Sequence, residues 1–435
     1  MIIKGKFSEA GMKRSQRFYT LYAMLNGFSY MCLGETVILL LAMKLDCKDY
    51  VVSTIGAMLY FSYVILPSGK LVAARVGAAS SQAVFWILRN FAALLVASSV
   101  IWAHYGMHGA AVACLLIGAF MFYGFRAAGV VMIQPLVGNI TTSSNRSAFL
   151  AISTAIAYVS SLLALLGISA FLHFYDGIWP LAAVIATGSV FGFSSAYFIK
   201  NIDETNELRL AAQMPLFAGM REAFRKTEIK RQIYSGLAMN MAVIMLMPIS
   251  MVIIKRGYGL SDKTALLYSI VQLAGSVVLS RLSIPFVRLF GPRRILIGAY
   301  SAFMLLALAW AACPAKPHAW FIAIMFFSMG GIFVAETNST THYFLQCVKV
   351  ESQVTASIII AVIAGGLGGL LATIASGVIL KVIDMNLGSM APINRYRFYF
   401  LVAMLILSPG LLLIKRLVPL PLEKKEGKIS RHDFF

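Results

Sequence analysis

A few ionisable side chains lie inside long apolar stretches of this sequence, and they are its strongest candidates for chemistry. Glu336 lies within SMGGIFVAETNSTTHYFLQ, Glu35 within MCLGETVILLL and Arg126 within FYGFRAAGVVM. A charge in hydrocarbon is costly, so such groups usually face a bundle interior or a water-filled path. There they pair with one another or handle substrates and ions.

Glu336 is the candidate for proton coupling. Helical spacing puts Met329, Phe333, Thr340 and Tyr343 on its face, so its carboxyl borders apolar groups on one side and hydroxyls on the other. Burial and nearby cations move the pKa of a carboxyl in opposite directions, so such a group can be poised to bind and release a proton. The alternative is a fixed ion pair that holds helices together.

Arg126 is the candidate for anion binding, because a guanidinium stays charged and can hold a carboxylate or phosphate in two places. It could instead be the internal partner of a glutamate. Arg89, about two turns into its own apolar run, is more typical of a structural role or of a side chain that reaches back to the lipid headgroups.

Glu35 has two interpretations that the sequence leaves open. Nine residues separate it from Asn26, which is about half a turn of a straight helix, so the two cannot share a face. We expect one polar face formed by Tyr22, Asn26, Ser29 and Tyr30, with Glu35 behind it, paired with Arg126 or Arg89 inside its own bundle. If the helix bends at Gly34, Glu35 could take part in proton coupling.

Polar and thioether groups near these charges complete the predicted site. Asn240 lies in the run MNMAVIMLMPISM, where Met247 and Met251 fall near its face and could adapt to an apolar ligand. We predict substrate binding by Arg126, Asn26, Tyr30, Asn240 and Tyr343, and proton coupling by Glu336 and Glu35.

The elements that must position these residues are membrane-spanning helices. The chain has 435 residues, of which 60% are hydrophobic and 12% charged, and its mean hydropathy is +0.81. Such values are typical of an integral membrane protein, and runs of about 20 apolar residues recur along its length. We predict an all-α membrane protein with twelve spans, at 18–43, 50–67, 82–103, 109–137, 147–172, 178–199, 232–254, 264–285, 294–313, 318–346, 354–381 and 396–417.

The net charge of +20 is distributed as membrane topology requires. With both termini cytoplasmic, 26 of the 37 Lys and Arg residues fall in cytoplasmic segments or at the adjoining span ends, 9 lie on the other side or at its span ends, and Arg89 and Arg126 lie well within spans. This asymmetry follows the positive-inside rule and gives no indication of nucleic-acid binding. We expect a multi-pass monomer of the cytoplasmic membrane whose partners are the bilayer, a small-molecule substrate and a coupling ion.

The sequence predicts neither a metal site nor an enzyme. The five cysteines form no CxxC and no cluster with histidine, so they read as reduced packing residues. No nucleophile with a convergent base is evident, and we expect neither catalysis nor a cofactor. Gly365, Gly366, Gly368 and Gly369 lie within a span and predict close helix packing, with no phosphate loop.

Two halves of six predicted spans flank one long polar segment. An offset of 214 residues places Asn26 on Asn240 and Gly77 on Gly291, which indicates a repeated bundle. In the polar segment, Pro215 begins an amphipathic stretch that predicts a helix on the cytoplasmic membrane surface. The predicted units are bundle 1–200, linker 201–231, bundle 232–417 and basic tail 418–435.

This layout resembles the major facilitator superfamily of secondary transporters over nearly the whole chain. The loop GKLVAARVG, residues 69 to 77, is similar to that family's loop motif, although Ala73 stands where the family carries an Asp. QPLVGNITTSSNRSAFL and YFLQCVKVESQVTAS resemble its turns after spans four and ten, and Gly129 follows Arg126 much as in its span-four motif. The fifth span lacks the glycine–proline pair of drug exporters.

The resemblance implies that spans one, four, seven and ten line a central cavity. We therefore expect a secondary active transporter that moves a small organic solute, anionic or zwitterionic and partly apolar, by alternating access coupled to protons. An exporter or flippase of lipids or other amphiphiles would use the same fold. A membrane-embedded transferase would need a cluster of His, Asp or Glu at one membrane surface, which is absent from the sequence, and no repeated pore loop indicates a channel.

Overall fold

A computed structural model of the chain describes residues 2–3, 7–47, 51, 55, 58, 62–175, 177–213, 225–260, 262–387 and 389–419. The described chain is almost entirely helical, with two short strands, β1 at Ile2–Ile3 and β2 at Glu204–Thr205. The predicted surface helix that begins at Pro215 lies outside the described residues. Because the second predicted span, 50–67, also lies mostly outside them, the total of twelve spans stays a prediction.

In the N-terminal half, residues 9–200, the described residues form helices joined by short turns. A 3-10 turn at Ser62–Ile65 precedes α3, and short polar or glycine-containing segments separate the longer helices. The helices are α1 (Glu9–Cys32), α2 (Glu35–Lys44), α3 (Leu66–Val76), α4 (Ala78–His104), α5 (His108–Val130), α6 (Ile133–Asn139), α7 (Arg146–Phe174) and α8 (Ile178–Lys200).

A short helix, α9 (Asn206–Gln213), follows β2, and the C-terminal half, residues 227–417, then repeats the helical plan. Two π-helical segments, Ile253–Gly257 and Ala361–Leu367, interrupt it. Its helices are α10 (Thr227–Val252), α11 (Asp262–Ala311), α12 (Ala319–Cys347), α13 (Val350–Ile360), α14 (Gly368–Leu387), α15 (Pro392–Leu407) and α16 (Gly410–Lys415).

Ten of the described helical stretches are long and apolar enough to cross a membrane, which makes this a multi-pass membrane protein. A shorter apolar helix, Leu267–Ser283, lies where the eighth span is predicted. The ten stretches are Glu9–Lys44, Ala78–His104, His108–Asn139, Arg146–Phe174, Ile178–Lys200, Thr227–Gly257, Leu289–Ala311, Ala319–Cys347, Val350–Leu387 and Pro392–Lys415.

The predicted offset between the halves is visible in the backbone. Gly77 has φ 92° and ψ 165°, and Gly291, its predicted counterpart, has φ 74° and ψ 158° and divides α11 into two helices. Positive φ with extended ψ is a region that side chains with a Cβ rarely enter, so glycine is required at both turns. Both loops therefore end with the same bend into the following span.

Three hydrophobic clusters show how the halves are joined. One lies within the N-terminal half and includes Leu41, Val96 and Ile185, and a second lies within the C-terminal half. The third draws on both halves, with Leu136 and Ile140 packed in the same cluster as Phe344 and Val354. The halves thus share a core at one end and keep separate cores towards the other.

We call the end with the shared core the linker face, because the linker packs there. It carries α3, the turn 140–145, residues 201–213 and the turn 348–349. Residues 69–76, which the sequence predicts as part of a loop, are therefore helical. β1 pairs in parallel with β2, and Asn139 exchanges two hydrogen bonds with Thr205, at 2.6 and 3.1 Å. Because helices 23 to 29 residues long separate successive turns, the ends of the spans alternate between this face and the opposite face.

A carboxylate of the linker caps the N-terminus of α4 at this face. Glu204, 3% exposed, accepts hydrogen bonds from the backbone N–H groups of Ala78 and Ala79 at 2.7 and 3.2 Å. N–H groups in the first turn of a helix have no partner within the helix, and the helix dipole favours a carboxylate there. Burial nevertheless raises the pKa of Glu204, and the two N–H donors and Arg209 oppose that shift only partly.

Candidate functional site

Glu336 lies near the middle of α12, where the structure places it largely out of solvent at 9% exposure. One carboxylate oxygen accepts a hydrogen bond from Thr340 at 2.8 Å, and the other lies 3.2 Å from the Thr337 hydroxyl, which also donates to the Phe333 carbonyl at 2.9 Å. Thr340 is thus on its face, as the helical spacing predicts. No described basic side chain forms an ion pair with Glu336, so two hydroxyls are the groups that stabilise its charge.

Arg126 is half-buried on α5, in the other half of the molecule, and is surrounded by tyrosines. Its guanidinium carbon lies 5.0 Å from the centre of the Tyr30 ring, and Tyr63 and Tyr123 lie within electrostatic range. A guanidinium over an aromatic face is attracted by about 0.5–2 kcal/mol, which holds it without neutralising it. Among the described side chains no carboxylate pairs with Arg126.

Two tyrosines connect these opposite charges across the molecule. Tyr158 on α7 lies within electrostatic range of both Tyr30 and Glu336, and Tyr30 in turn lies against Arg126. Tyr30 is 43% exposed and Thr337 is also exposed, although both lie in the middle of membrane-spanning helices. We call Arg126, Tyr30, Tyr158 and Glu336 the central cluster.

A different network buries Arg89. It is 2% exposed and donates hydrogen bonds to Ser29 at 3.0 Å and to Asn26 at 3.3 Å, and its guanidinium lies 4.6 Å from the Trp86 ring centre. The indole N–H of Trp86 donates to the same Asn26 oxygen at 3.0 Å. Arg89 therefore does not reach the headgroups, and the carboxamide oxygen of Asn26 is committed within the N-terminal half.

The polar face predicted on α1 packs largely on α4. Tyr22 and Ser29 are buried towards α4, where Gln82 donates to Tyr22 at 3.0 Å, while the ring of Tyr30 lies against Arg126. Tyr22 also lies within electrostatic range of Arg126, since residues 22 and 30 share a helix face.

The first membrane-spanning stretch is interrupted at Gly34, the position at which the sequence allows a bend. α1 ends at Cys32, Gly34 has extended backbone with φ −62° and ψ 157°, and α2 begins at Glu35. The half-turn separation between Asn26 and Glu35 in a straight helix therefore does not apply. The side chain of Glu35 lies outside the described part of the structure, so its role stays a prediction.

In the C-terminal half, the side chains of two predicted ligands form hydrogen bonds to backbone carbonyls. The Asn240 amide donates to Gly236 of its own helix at 2.9 Å. Tyr343 is fully buried and its hydroxyl donates to the backbone of Val418 at 3.2 Å, near the linker face. Tyr343 borders a small pocket that Thr340 and Met239 also line, and the chain after α16 covers its hydroxyl.

Sequence reasoning missed Tyr158 and Thr337. Tyr158 lies in a run of small and apolar residues, AISTAIAYVSSLLALL, in which a lone tyrosine gives no periodic signal. Thr337 directly follows Glu336, and neighbouring residues of a helix ordinarily point about 100° apart. A threonine rotamer that turns the hydroxyl towards the carboxylate is visible only in three dimensions.

Polar contacts close the linker face between the halves. The ammonium of Lys70, a residue 3% exposed, donates to the Thr355 hydroxyl at 2.6 Å. Ser357 donates to the backbone of Val131 at 3.3 Å, and α9 packs on both α3 and α13. The loop that ends at Gly77 thus contacts the other half through a lysine and a threonine, where the resembling family uses an acid.

Within the described residues, no group of three or more His, Cys, Asp or Glu side chains is arranged to hold a metal ion. The five cysteines are free thiols, and Cys32 and Cys313 are buried. The central cluster can bind an anion at Arg126, contact apolar or aromatic groups through its tyrosines, and bind or release a proton at Glu336.

No protein-family model matches the sequence, and no curated protein matches it either. Solved structures do match its fold. The proton:xylose symporter XylE, bound to 6-bromo-6-deoxy-D-glucose, aligns with a TM-score of 0.68 and 12% identity over 95% of this chain and 97% of its own.

Two further transporters match over similar lengths. A bacterial homologue of the iron transporter ferroportin, in an outward-facing state, aligns with a TM-score of 0.70 and 11% identity, covering 93% of this chain and 99% of its own. A variant of the Escherichia coli fucose:proton symporter FucP gives a TM-score of 0.65 and 14% identity, covering 92% of this chain and 98% of its own. This chain has the fold of the major facilitator superfamily.

Proposed function

We propose that this protein is a secondary active transporter that moves a small organic anion or zwitterion with an apolar part, coupled to protons. One observation carries the proposal. Arg126 and Glu336 come from different halves, have opposite charges and form no ion pair with a described side chain. Tyr30 lies against Arg126, and Tyr158 lies within electrostatic range of both Tyr30 and Glu336. Buried ionisable groups arranged this way typically mark a substrate and ion path.

Each group of the central cluster has a role that fits its chemistry. The guanidinium of Arg126 binds the carboxylate or phosphate of the substrate, and the rings of Tyr30 and Tyr158 contact its apolar part. Glu336 binds the coupling proton. While it is ionised, Thr340 and Thr337 stabilise it by donating hydrogen bonds, and protonation removes the charge before the site becomes dry.

Access to this cluster alternates as the halves move against each other. In the present conformation the halves share a core at the linker face and have separate cores towards the opposite face. If the termini are cytoplasmic, as the charge asymmetry predicts, this conformation is closed to the cytoplasm and faces outward. The proton symporters with the same fold, XylE and FucP, support ion coupling for this chain.

A binding screen tests the anion assignment. Purified protein would be heated with sets of carboxylates, phosphates, zwitterions and neutral solutes, because a ligand that binds the folded state raises its melting temperature. We expect an anion or zwitterion to stabilise the wild type and an Arg126→Gln variant to lose that stabilisation. Arg281→Gln, at an exposed arginine remote from the cluster, is the control and should retain it.

Two results would contradict the assignment. If only neutral solutes raised the melting temperature, the substrate would not be an anion and Arg126 would not be its binding group. An anion that binds Arg126→Gln as tightly as the wild type would place the anion site elsewhere.

A further inference from the structure

A cavity of about 620 Å³ lies in the C-terminal half, away from the central cluster. It is formed where α10 ends, α14 ends and α15 begins, so it is at the face opposite the linker. Ligand sites of proteins typically have volumes of about 300–1,000 Å³, so the cavity is large enough for a ligand of moderate size.

The polar part of this cavity is basic. Lys255, Arg256 and Arg395 line it, and Asp384 is the one acidic residue in its lining, which leaves an excess of two positive charges. Asp384 forms an ion pair with Arg395 at 3.3 Å, and Arg395 also donates to the backbone of Met390 at 3.1 Å. Arg395 is therefore held in place, and the three basic residues and one acidic residue give the cavity lining a net positive charge.

The backbone at Lys255 and Arg256 has an unusual conformation. Lys255 and Arg256 belong to the π-helical segment Ile253–Gly257, a form that recurs at functional sites. Directly after it, the Tyr258 hydroxyl donates to the backbone of Pro314 at 2.7 Å, and Leu260 N–H donates to Ile254 at 3.0 Å. These contacts fix the position of the segment against the loop before α12.

The remaining wall is apolar. Met251 and Val252 on α10 face Leu380 and Ile383 on α14, and Tyr396 on α15 adds an aromatic ring. Met251, which the sequence places near the face of Asn240, contributes to this cavity in the structure. A cavity that is basic at one end and apolar along the rest suits a ligand with an anionic group and a hydrocarbon part.

Membrane topology does not explain this group of charges. The sequence predicts 9 basic residues on the non-cytoplasmic side, where the positive-inside rule disfavours them, yet three line this one cavity. Scattered surface charges would not be gathered over an apolar pocket.

We propose that this cavity binds an anionic amphiphile, with its carboxylate or phosphate at Lys255 and Arg256 and its hydrocarbon part on Met251, Val252 and Leu380. The amphiphile comes either from the bilayer, as a lipid, or from solution. Because it rests on a cavity outside the central cluster, this site does not depend on the proposed transport function.

The test uses the purified full-length protein in a neutral detergent and three probes: dodecyl phosphate, inorganic phosphate and dodecanol. The proposal predicts saturable binding of dodecyl phosphate, with much weaker binding of the other two. A Lys255→Gln/Arg256→Gln double variant should lose about tenfold in affinity, because it removes two charged contacts at a partly exposed site. Arg256→Gln alone should lose less.

All of these measurements are made in an Arg126→Gln background, so that the anion site proposed in the central cluster does not contribute. Lys316→Gln serves as the control, because it removes an exposed cation of the same face that does not line the cavity. It should bind dodecyl phosphate as tightly as the protein with Lys316.

Several outcomes would overturn the proposal. These are equal binding of dodecanol, equal binding of inorganic phosphate, unchanged affinity after Lys255→Gln/Arg256→Gln, or absence of saturable binding in the Arg126→Gln background. Nanodiscs then distinguish the sources, since phosphatidylglycerol should compete with dodecyl phosphate where phosphatidylcholine does not if the natural ligand is a lipid. Absence of competition assigns the site to a soluble amphiphile.

Discussion

The contact between Lys70 and Thr355 should control how often the linker face opens. Replacing Thr355 with valine keeps the shape of the side chain and removes the acceptor, which leaves a buried ammonium without its 2.6 Å partner. Hydrogen bonds to charged groups contribute about 1.5–3 kcal/mol when the unpaired group stays buried. The cost is confined to the closed state, because separation of the halves returns Lys70 to water.

The expected result is a larger population open at the linker face. A free-energy change of about 1.5–3 kcal/mol corresponds to about a 10- to 150-fold shift in the equilibrium. While the open state remains the minor one, the labelling rate of a thiol that is reachable only when the face is open rises by the same factor.

A cysteine in place of Leu345 is a suitable probe. Leu345 is 6% exposed and packs against Gly138 of the other half. The five native cysteines would first be replaced, and the reaction with a maleimide would be followed with and without Thr355→Val. Thr373→Val is the matched control, because Thr373 bonds to Gly369 of its own helix.

An unchanged labelling rate in Thr355→Val, or an equal increase in Thr373→Val, would refute this reasoning. The first result would mean that the Lys70 contact is not what differs between the two states. The second would mean that loss of any hydroxyl loosens the bundle.

Two further changes test the loop and the linker. Gly77→Ala should lower the free energy of unfolding by at least about 1–3 kcal/mol, because φ is 92° and a Cβ would clash with Glu204. Thermal unfolding measures this change. Gly167→Ala is the control, because the space around Gly167 is open and its stability should not fall. Glu204→Gln should alter the pH dependence of stability. Burial raises the pKa of Glu204 in the folded state, so the wild type keeps this proton longer when folded and loses stability relative to the variant as the pH rises above about 4.5. Melting curves from pH 4 to 8 that show the wild type gaining relative stability instead would contradict that sign.

The length and number of the apolar runs predict the multi-pass helical architecture, and ten of the described stretches are long and apolar enough to span a membrane. Span length follows from bilayer thickness, and the glycines that the offset pairs, Gly77 and Gly291, adopt the same backbone conformation. The sequence could not show that the polar segment pairs with the N-terminus through β1 and β2. That contact joins residues about 200 positions apart and depends on where the helices end.

The candidate site was only partly predictable. Ionisable groups within apolar runs stand out in a sequence, so Arg126 and Glu336 could be singled out. Their neighbours could not, because the partners of a buried group depend on how helices rotate when they pack. Asn26 illustrates this, since its oxygen is bound by Trp86 and Arg89 of a helix that sequence spacing does not relate to it.

The transport activity of Glu336→Gln is the measurement that tests the proposed mechanism most directly. The variant would be reconstituted in liposomes with the anion identified by the binding screen, and uptake driven by a pH gradient would be compared with exchange at equal pH. We predict that exchange persists and that gradient-driven accumulation is lost, while Glu204→Gln, outside the membrane, retains both. Accumulation by Glu336→Gln at the wild-type level would contradict the role of this carboxyl in proton coupling.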